Sequence, residues 1–260
     1  MQGFWVSKNK VKVNIGGGGI FSKVMMAIQN IAISGFRVED CYFNVIDERA
    51  IAEDGTNPFN FVLDQTFTQE EDYLPVTFNQ HESYSRYNKI YKSLEFDKLR
   101  LIAANIKYKP ELIALVDEYI NKLGIDKSTI GVHIRLCDMN IHHKQDYGEV
   151  HFENYVKVIE ELLKPESKIF VASDNNESIK KLQSLYGNRI LYLEGLLRAE
   201  TEVEDSINLQ LEHFKEERFW KEAFLEMLLL SRCSELICRT SNLANMTIIS
   251  SNTLKTVTML

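Results

Sequence analysis

From residue 129 onward, apolar runs of strand length alternate with segments of helical period, and this regularity limits the fold more than any other feature. It reads as strand over 129–135, helix over 151–163, strand over 168–172, helix over 178–186 and strand over 189–193. A last group adds a helix over 219–232, a strand over 235–238 and a second helix from Asn242. Strands alternating with helices imply a mostly parallel sheet covered on both faces. Nearer the start, residues 11–15 read as a strand that runs into Gly16, Gly17, Gly18 and Gly19. A helix follows, in which Phe21, Val24, Met25, Ile28 and Ala32 recur at helical spacing. A second strand is expected around residues 37–46, and residues 50–97 read mostly as loop or short helices. Pro110 suits the first turn of a helix with Leu112, Leu115, Val116, Tyr119 and Leu123 along one face. The stretch LGIDKST, residues 123–129, breaks the pattern and marks a boundary between 1–124 and 125–260. The expected fold class is therefore α/β, built as two small units.

The 260 residues, 45% of them hydrophobic, are ample for a packed core. With Lys+Arg 30 against Asp+Glu 37 and a net charge of −7, the molecule as a whole repels polyanions, so nucleic acid is not an expected partner. Capture of one small anion by one arginine stays open. Cys41, Cys137, Cys233 and Cys238 are widely scattered, which favours reduced thiols over disulfides. Cys233 and Cys238 have no second pair or histidine at zinc spacing. The first residues lack the pattern of a signal peptide, and no apolar run of about eighteen residues is present. The simplest location is the cytosol, with peripheral association at a membrane left open.

In open parallel sheets, ligands bind beyond the carboxyl ends of the strands, where helices begin and their amides point outward. Four segments meet that description: residues 16–19, 133–138, 173–176 and 239–242. Arg135 offers a rigid fork of donors matched to phosphate oxygens, and its structural alternative is a salt bridge, with Asp138 as one candidate partner. His133 lies two residues before Arg135 and so shares its strand face, as either a ligand contact or a core histidine. Ser173, Asp174 and Asn175 form one strand-to-helix turn, with Ser178 or Asn176 as candidate caps. Thr240, Ser241 and Asn242 form another, either a cap or an anion site.

The glycine run lacks a P-loop lysine, and Phe21 stands where the dinucleotide fingerprint needs a small residue, so it remains a tight turn or a ligand cradle. His142, His143 and His151 lack the carboxylate spacing of a metal site, and there is no Asp-x-Asp clamp for a divalent ion. No metal is expected. A Gly-x-Ser-x-Gly nucleophile turn is also absent.

The stretches GVHIRLCDMN, HFENYVKVIEELL, IFVASDNNESIKKLQSLYGNRILYL and FLEMLLLSRCSELICRTSNLANM, in that order, resemble the donor-binding half of the fucosyltransferase superfamily. That superfamily includes the α-1,6 enzymes with their nodulation relatives, the α-1,2 enzymes and the protein O-fucosyltransferases. GGGGIFSKVMMAIQNIAISGFRV also looks like the family's first glycine turn and helix. The resemblance implies a GT-B-like fold of two facing Rossmann-type domains. It also implies inverting, metal-independent transfer from GDP-fucose to a glycan or glycolipid acceptor, as in polysaccharide biosynthesis. Residues 125–260 would bind the donor and residues 1–124 would form the acceptor side.

Under that resemblance Arg135 holds the donor diphosphate and His133 contacts the donor. Asp174 and Ser241 fall on nucleotide-contacting turns beside Ser173, Thr240 and Asn242, and Glu226 takes an acidic position near the guanine. Gly17, Gly18 and Gly19 line the first turn. Leu136 stands where several relatives carry a second arginine, which leaves another nucleotide sugar open as donor.

The expected chemistry is a single displacement. Arg135 and the helix start at Ser241 stabilise the leaving diphosphate, and Asp138, Asp146 or Glu149 takes the acceptor proton. A noncatalytic sugar-nucleotide or glycan-binding module is the alternative from a different class.

Overall fold

The computed structural model describes residues 11–16, 19–34, 37–65, 74–78, 96–142, 148–202 and 211–260. The chain divides into two compact units, Met1–Ile113 with Phe214–Lys221, and Ala114–His213 with Glu222–Leu260. Both are α/β and both carry a parallel sheet, as the alternation of strands and helices implies.

In the first unit, β1 (Val11–Ile15), β2 (Cys41–Val45) and β3 (Leu74–Phe78) are ordered β2-β1-β3. Helix α1 (Ile20–Ser34) starts just after the glycine turn and buries Val24, Met25, Ile28 and Ile31. The second strand starts later than its sequence suggests because Val38–Asp40 first close a 3-10 turn, Cys41 N–H donating to Val38 O. Strand β3 lies inside the tract expected to be loop, and helix α2 (Phe96–Ala104) begins at its far end. Residues 66–73 and 79–95 of that tract lie outside the described residues. Helix α3 (Pro110–Leu123) begins at its proline, as predicted.

Strand β2 is at the edge of its sheet, where unpaired peptide groups need covering. Two side-chain amides serve in place of a neighbouring strand. Gln65 accepts from Phe43 N and donates to Phe43 O, both at 3.0 Å. Asn57 donates to Phe43 O at 2.6 Å and accepts from Val45 N at 3.3 Å. The core beside this edge is aromatic: Phe59 meets Phe43 at 5.7 Å and the edge of Trp220 at 5.5 Å, while Phe214 stacks on Trp220 at 5.7 Å.

Lys23 of α1 is fully buried, with Nζ 3.0 Å from Asp47 Oδ2 and 5.3 Å from the centre of the Phe214 ring. Burial lowers the Lys23 pKa against the pull of Asp47. Asp47 also accepts from Arg49 Nε and Nη2, each at 2.9 Å. Arg49 and then Lys23 hold the Asp47 carboxyl well below the usual carboxylate range, although burial opposes them.

The second unit contains α4 (Cys137–His142), α5 (Phe152–Leu162), α6 (Asn176–Tyr186), α8 (Asn242–Ser250) and, from Glu222 onward, α7 (Glu217–Leu230). Its strands are β4 (Ile130–Ile134), β5 (Ile169–Ser173), β6 (Ile190–Leu191), β7 (Glu235–Cys238) and β8 (Thr256–Met259), all parallel and ordered β6-β5-β4-β7-β8. Counted from β4 this is the Rossmann order 3-2-1-4-5, in which the chain direction across the sheet reverses between β4 and β7.

Strand β4 is central, so all five of its residues are buried. Ile130, Val132 and Ile134 pack with Phe152, Tyr155 and Ile159 of α5 and with Ile179 and Leu182 of α6. Gly131 faces the other way, and a Cβ there would come within 3.1 Å of Leu230 Cδ2 and 3.2 Å of Cys233. Alternation puts His133 on that same face. Gly124, at φ 66°, ends α3 and receives Lys168 Nζ on its carbonyl at 3.1 Å. Among the described residues no helix is long and apolar enough to cross a membrane. All four cysteines are free thiols.

Two predictions follow from this packing. Gly131→Val overfills the contact with α7 and lowers unfolding free energy by about 1–3 kcal/mol, seen as a lower urea midpoint at unchanged m-value. The depressed Asp47 pKa contributes stability above about pH 4 that is lost as pH falls. In acid titrations followed by circular dichroism, Asp47→Asn therefore loses less stability than the parent between neutral and acid pH.

Candidate functional site

The sheet order reverses between β4 and β7, and the carboxyl ends of strands at such a reversal are where open parallel sheets take ligands. His133 and Arg135 leave β4 on one side of the reversal, and Arg239, Thr240, Ser241 and Asn242 leave β7 on the other. Ser173 and Asp174 end β5, the strand on the far side of β4. Three of the four predicted segments thus share one sheet edge. The glycine turn follows β1 in the other unit's sheet, with Gly19 O accepting from Lys23 N at 3.1 Å.

Asp174 organises the β4 side. Its carboxylate accepts from Cys137 N at 3.2 Å, Leu136 N at 3.4 Å and Asn175 Nδ2 at 2.9 Å. Arg135 Nε lies 4.0 Å from Asp174 Oδ2, and about a quarter of the Arg135 side chain is exposed, 23% against 5% for Asp174. The next strand's aspartate is thus a carboxylate neighbour of Arg135. Asp138 lies in α4, and its side chain is outside what the structure describes. Tyr155 is buried, which pushes its phenol pKa up, and the neutral hydroxyl accepts from Arg135 N at 3.4 Å.

On the β7 side, Ser241 caps α8 by accepting from Ala244 N at 3.1 Å, and its Oγ lies 3.4 Å from His133 Nδ1. His133 is buried beside this cap. Asn242 opens α8, and Thr240 is half-buried beside it. The α6 cap is Asn175, which accepts from Ser178 N at 2.8 Å, rather than Ser178 or Asn176. Ser173 Oγ accepts from Asn175 N at 3.2 Å and stiffens the same turn.

Two buried arginines that the motifs did not single out hold this edge together. Arg198 donates to Ser173 O at 3.1 Å, Leu193 O at 2.9 Å and Glu226 Oε1 at 2.5 Å. Glu222, one turn before Glu226 on α7, accepts from Leu197 N at 2.9 Å. Helix α7 thus grips the 197–198 segment through two acids. Burial raises the Glu226 pKa while Arg198 opposes the rise. The second arginine, Arg239, is 1% exposed; it donates to Asn140 Oδ1 at 2.6 Å and Gly148 O at 2.5 Å. Arg198 lies in no sequence motif and Arg239 only opens the 239–242 turn, and their roles show only once the fold brings partners such as Glu226 and Asn140, 28 and 99 residues away, into reach.

Glu149 is exposed and follows Gly148, whereas Gly17, Gly18, His143 and Asp146 lie outside the described residues. His151 is exposed at the start of α5. Among the described residues no group of three or more His, Cys, Asp or Glu is arranged to hold a metal ion.

These features define a Rossmann-type sheet with a cationic residue at its switch point, and solved structures give the class a closer outline. The fold is similar to that of NodZ α-1,6-fucosyltransferase co-crystallized with GDP, with TM-score 0.56 and 14% identity over 95% of this chain and 93% of that one. Fucosyltransferase NodZ from Bradyrhizobium matches at TM-score 0.50, with 14% identity over 95% of this chain and 94% of that one. POFUT1 in complex with GDP-fucose matches at TM-score 0.50, with 8% identity over 98% of each chain. The likeness is one of fold, and it is GT-B-like as the sequence motifs imply. No protein-family model and no curated protein sequence matches the chain.

The Arg198–Glu226 pair carries a stability prediction. Glu226→Ala strands a buried guanidinium and lowers unfolding free energy by about 3 kcal/mol, whereas Glu226→Gln keeps one acceptor and costs less. Urea unfolding of the three proteins measures the difference.

Proposed function

We propose that this chain is an inverting, metal-independent glycosyltransferase that moves a sugar, L-fucose from GDP-fucose, onto a hydroxyl of a glycan or glycolipid. The observation that carries this reading is Arg135 at the switch point of the second unit's sheet, in a chain with the fold of an enzyme crystallised with GDP. Residues 125–260 bind the donor in this reading, and residues 1–124 supply the acceptor side. Nucleic acid is not a partner of so acidic a molecule, and four thiols fit the reducing cytosol.

As an acceptor oxygen forms its bond to the anomeric carbon, the bond to the diphosphate breaks and negative charge collects on the phosphate oxygens. Arg135, beside Asp174 at the end of β4, is assigned to that charge. The start of α8 adds amide dipoles of the same sign, with Thr240, Ser241 and Asn242 around it and His133 behind. Ser173 and Asp174 shape the β5 turn, and Glu226, held by Arg198, stands behind that turn on the base side. Gly17, Gly18 and Gly19 are donor-binding candidates by the resemblance alone. The acceptor proton goes to a carboxylate among Asp138, Asp146 and Glu149.

Arg135→Ala is expected to reduce GDP release from GDP-fucose by about 10²–10³-fold, and Arg135→Lys to recover little because the fork is lost. Near wild-type turnover in either variant removes Arg135 from the mechanism. Thermal-shift measurements with GDP, UDP and dTDP test the donor. GDP at about one hundred times its Kd stabilises by roughly 2.7 kcal/mol, and stabilisation by another nucleotide alone reassigns the sugar donor. Binding of GDP without turnover supports a noncatalytic module.

A further inference from the structure

We propose that the first unit carries an accessory carbohydrate site, a cavity beside the amino end of β2 that holds one neutral or amino-bearing sugar unit. The cavity has a volume of about 200 Å³, below the roughly 300–1,000 Å³ of pockets for drug-sized molecules and on the scale of a single sugar ring. Its lining runs from Val38 to Lys107, so it belongs to the first unit alone. It is also apart from the edge where that unit's sheet would take a ligand. Strand β2 extends roughly 13 Å from Cys41 to Val45, and the glycine turn lies at the far, carboxyl end of its parallel neighbour β1.

The cavity arises where a next strand is missing. Ile46 N–H donates inward to Ile15 O, whereas Phe43 and Val45 turn their peptide groups outward to the amides of Gln65 and Asn57. By the same alternation the Cys41 carbonyl faces outward. In place of a strand, residues 62–64 and 107–109 approach this edge bonded to each other: Asp64 N donates to Lys107 O at 2.9 Å and Lys109 N to Val62 O at 3.0 Å. Gln65 crosses the gap to Phe43, and the space beside it toward Cys41 is the cavity.

The lining selects the ligand. Its floor is apolar, with Leu63 and Ile106 buried. Its rim is rich in acceptors, for Glu39 and Asp64 are exposed and Asp40 is half-buried, against one exposed cation, Lys107. Arg37 steadies two of the acids from outside, with Nε 2.7 Å from Glu39 Oε1 and 3.6 Å from Asp40 Oδ2. The Glu39 backbone amide and then Arg37 hold the Glu39 carboxyl below its ordinary pKa, so it is an ionised acceptor at neutral pH. A sugar ring offers the matching surface: an apolar C–H face for the floor and hydroxyl donors for the carboxylates, whose hydrogen bonds are stronger than neutral ones. An amino substituent adds charge of the favourable sign. A phosphorylated or otherwise anionic ligand meets three like charges and is disfavoured.

Saturation-transfer NMR on the full chain with glucose, N-acetylglucosamine and glucosamine tests the site, with glucose 6-phosphate and spermidine as anionic and polyamine comparisons. Sugar signals are expected, weaker for glucose 6-phosphate than for glucose, and unchanged by saturating GDP. Asp64→Ala removes a charged acceptor and is expected to weaken sugar binding by about 10–10²-fold. Asn105→Trp, at an exposed rim position just after α2, fills the cavity and abolishes binding. Both positions are on the surface, so thermal midpoints stay near the parent's. Should Asn105→Trp unfold, Asp64→Ala decides the result alone. Absence of sugar binding by the wild-type chain, binding indifferent to these variants, displacement of the sugar by GDP, or preference for spermidine over every sugar overturns the inference. The inference goes beyond the transferase reading and stands apart from it. Sugar binding without GDP release from GDP-fucose upholds the site and sinks that reading, and GDP release without sugar binding does the reverse.

Discussion

The carboxylate of Asp174 is the charge around which the second unit's sheet edge is built. It is nearly buried, and the structure meets the cost of that with the amides of Leu136 and Cys137, the side chain of Asn175 and the nearby guanidinium of Arg135. Hydrogen bonds to an ionised group are worth about 1.5–3 kcal/mol each, more than neutral ones, so this cluster resists distortion. Its members belong to the end of β4, the end of β5 and the start of α4. Removing the acid would release all three at once. The arginine's position at the switch point is thus a property of the neighbouring strand as much as of its own.

Capping of the strand-end turns does not exclude an anion beside them. Asn175 and Ser241 do cap helices, each satisfying one amide of a first turn. A cap takes only one of the four unsatisfied amides at a helix start, so capping alone leaves the local field positive. What raises these turns above ordinary caps is the strand order. Arg135 and Ser241 are separated by more than one hundred residues, yet β4 and β7 are direct neighbours with His133 opposite Cys238. An acidic chain can therefore present cationic groups at one place while its overall charge stays at −7.

Much of the second unit was legible because its inner strands are short, mostly apolar and separated by helices with clear periodicity. The β4 run IGVHI and the β7 run ELIC stand where the pattern puts them. The missed elements lack that signal. Strand β3, LPVTF, carries a proline that argues against a strand and sits in a polar, aromatic tract. Helix α4 spans six residues, too few to display a period, and β8, TVTM, is half polar. Of the site, Arg135 and the strand-end turns were visible as local motifs. Arg198 was not, and Arg239 was seen only as the first residue of a turn, because their meaning lies in carbonyls and acids brought to them by the fold. The amides of Asn57 and Gln65 were invisible for the same reason: nothing local marks a side chain that stands in for a missing strand.

Helix α7 begins among residues grouped with the first unit and ends among those of the second, and Trp220 lies in its early part. The Trp220 indole is wedged against Phe59 and Phe214 and donates Nε1–H to Phe214 O at 2.8 Å. A gene truncated after residue 113 would encode every strand of the first sheet yet omit the aromatic plug of its core. Such a fragment would leave Phe59 uncovered, so the linear halves of this polypeptide are not its modules.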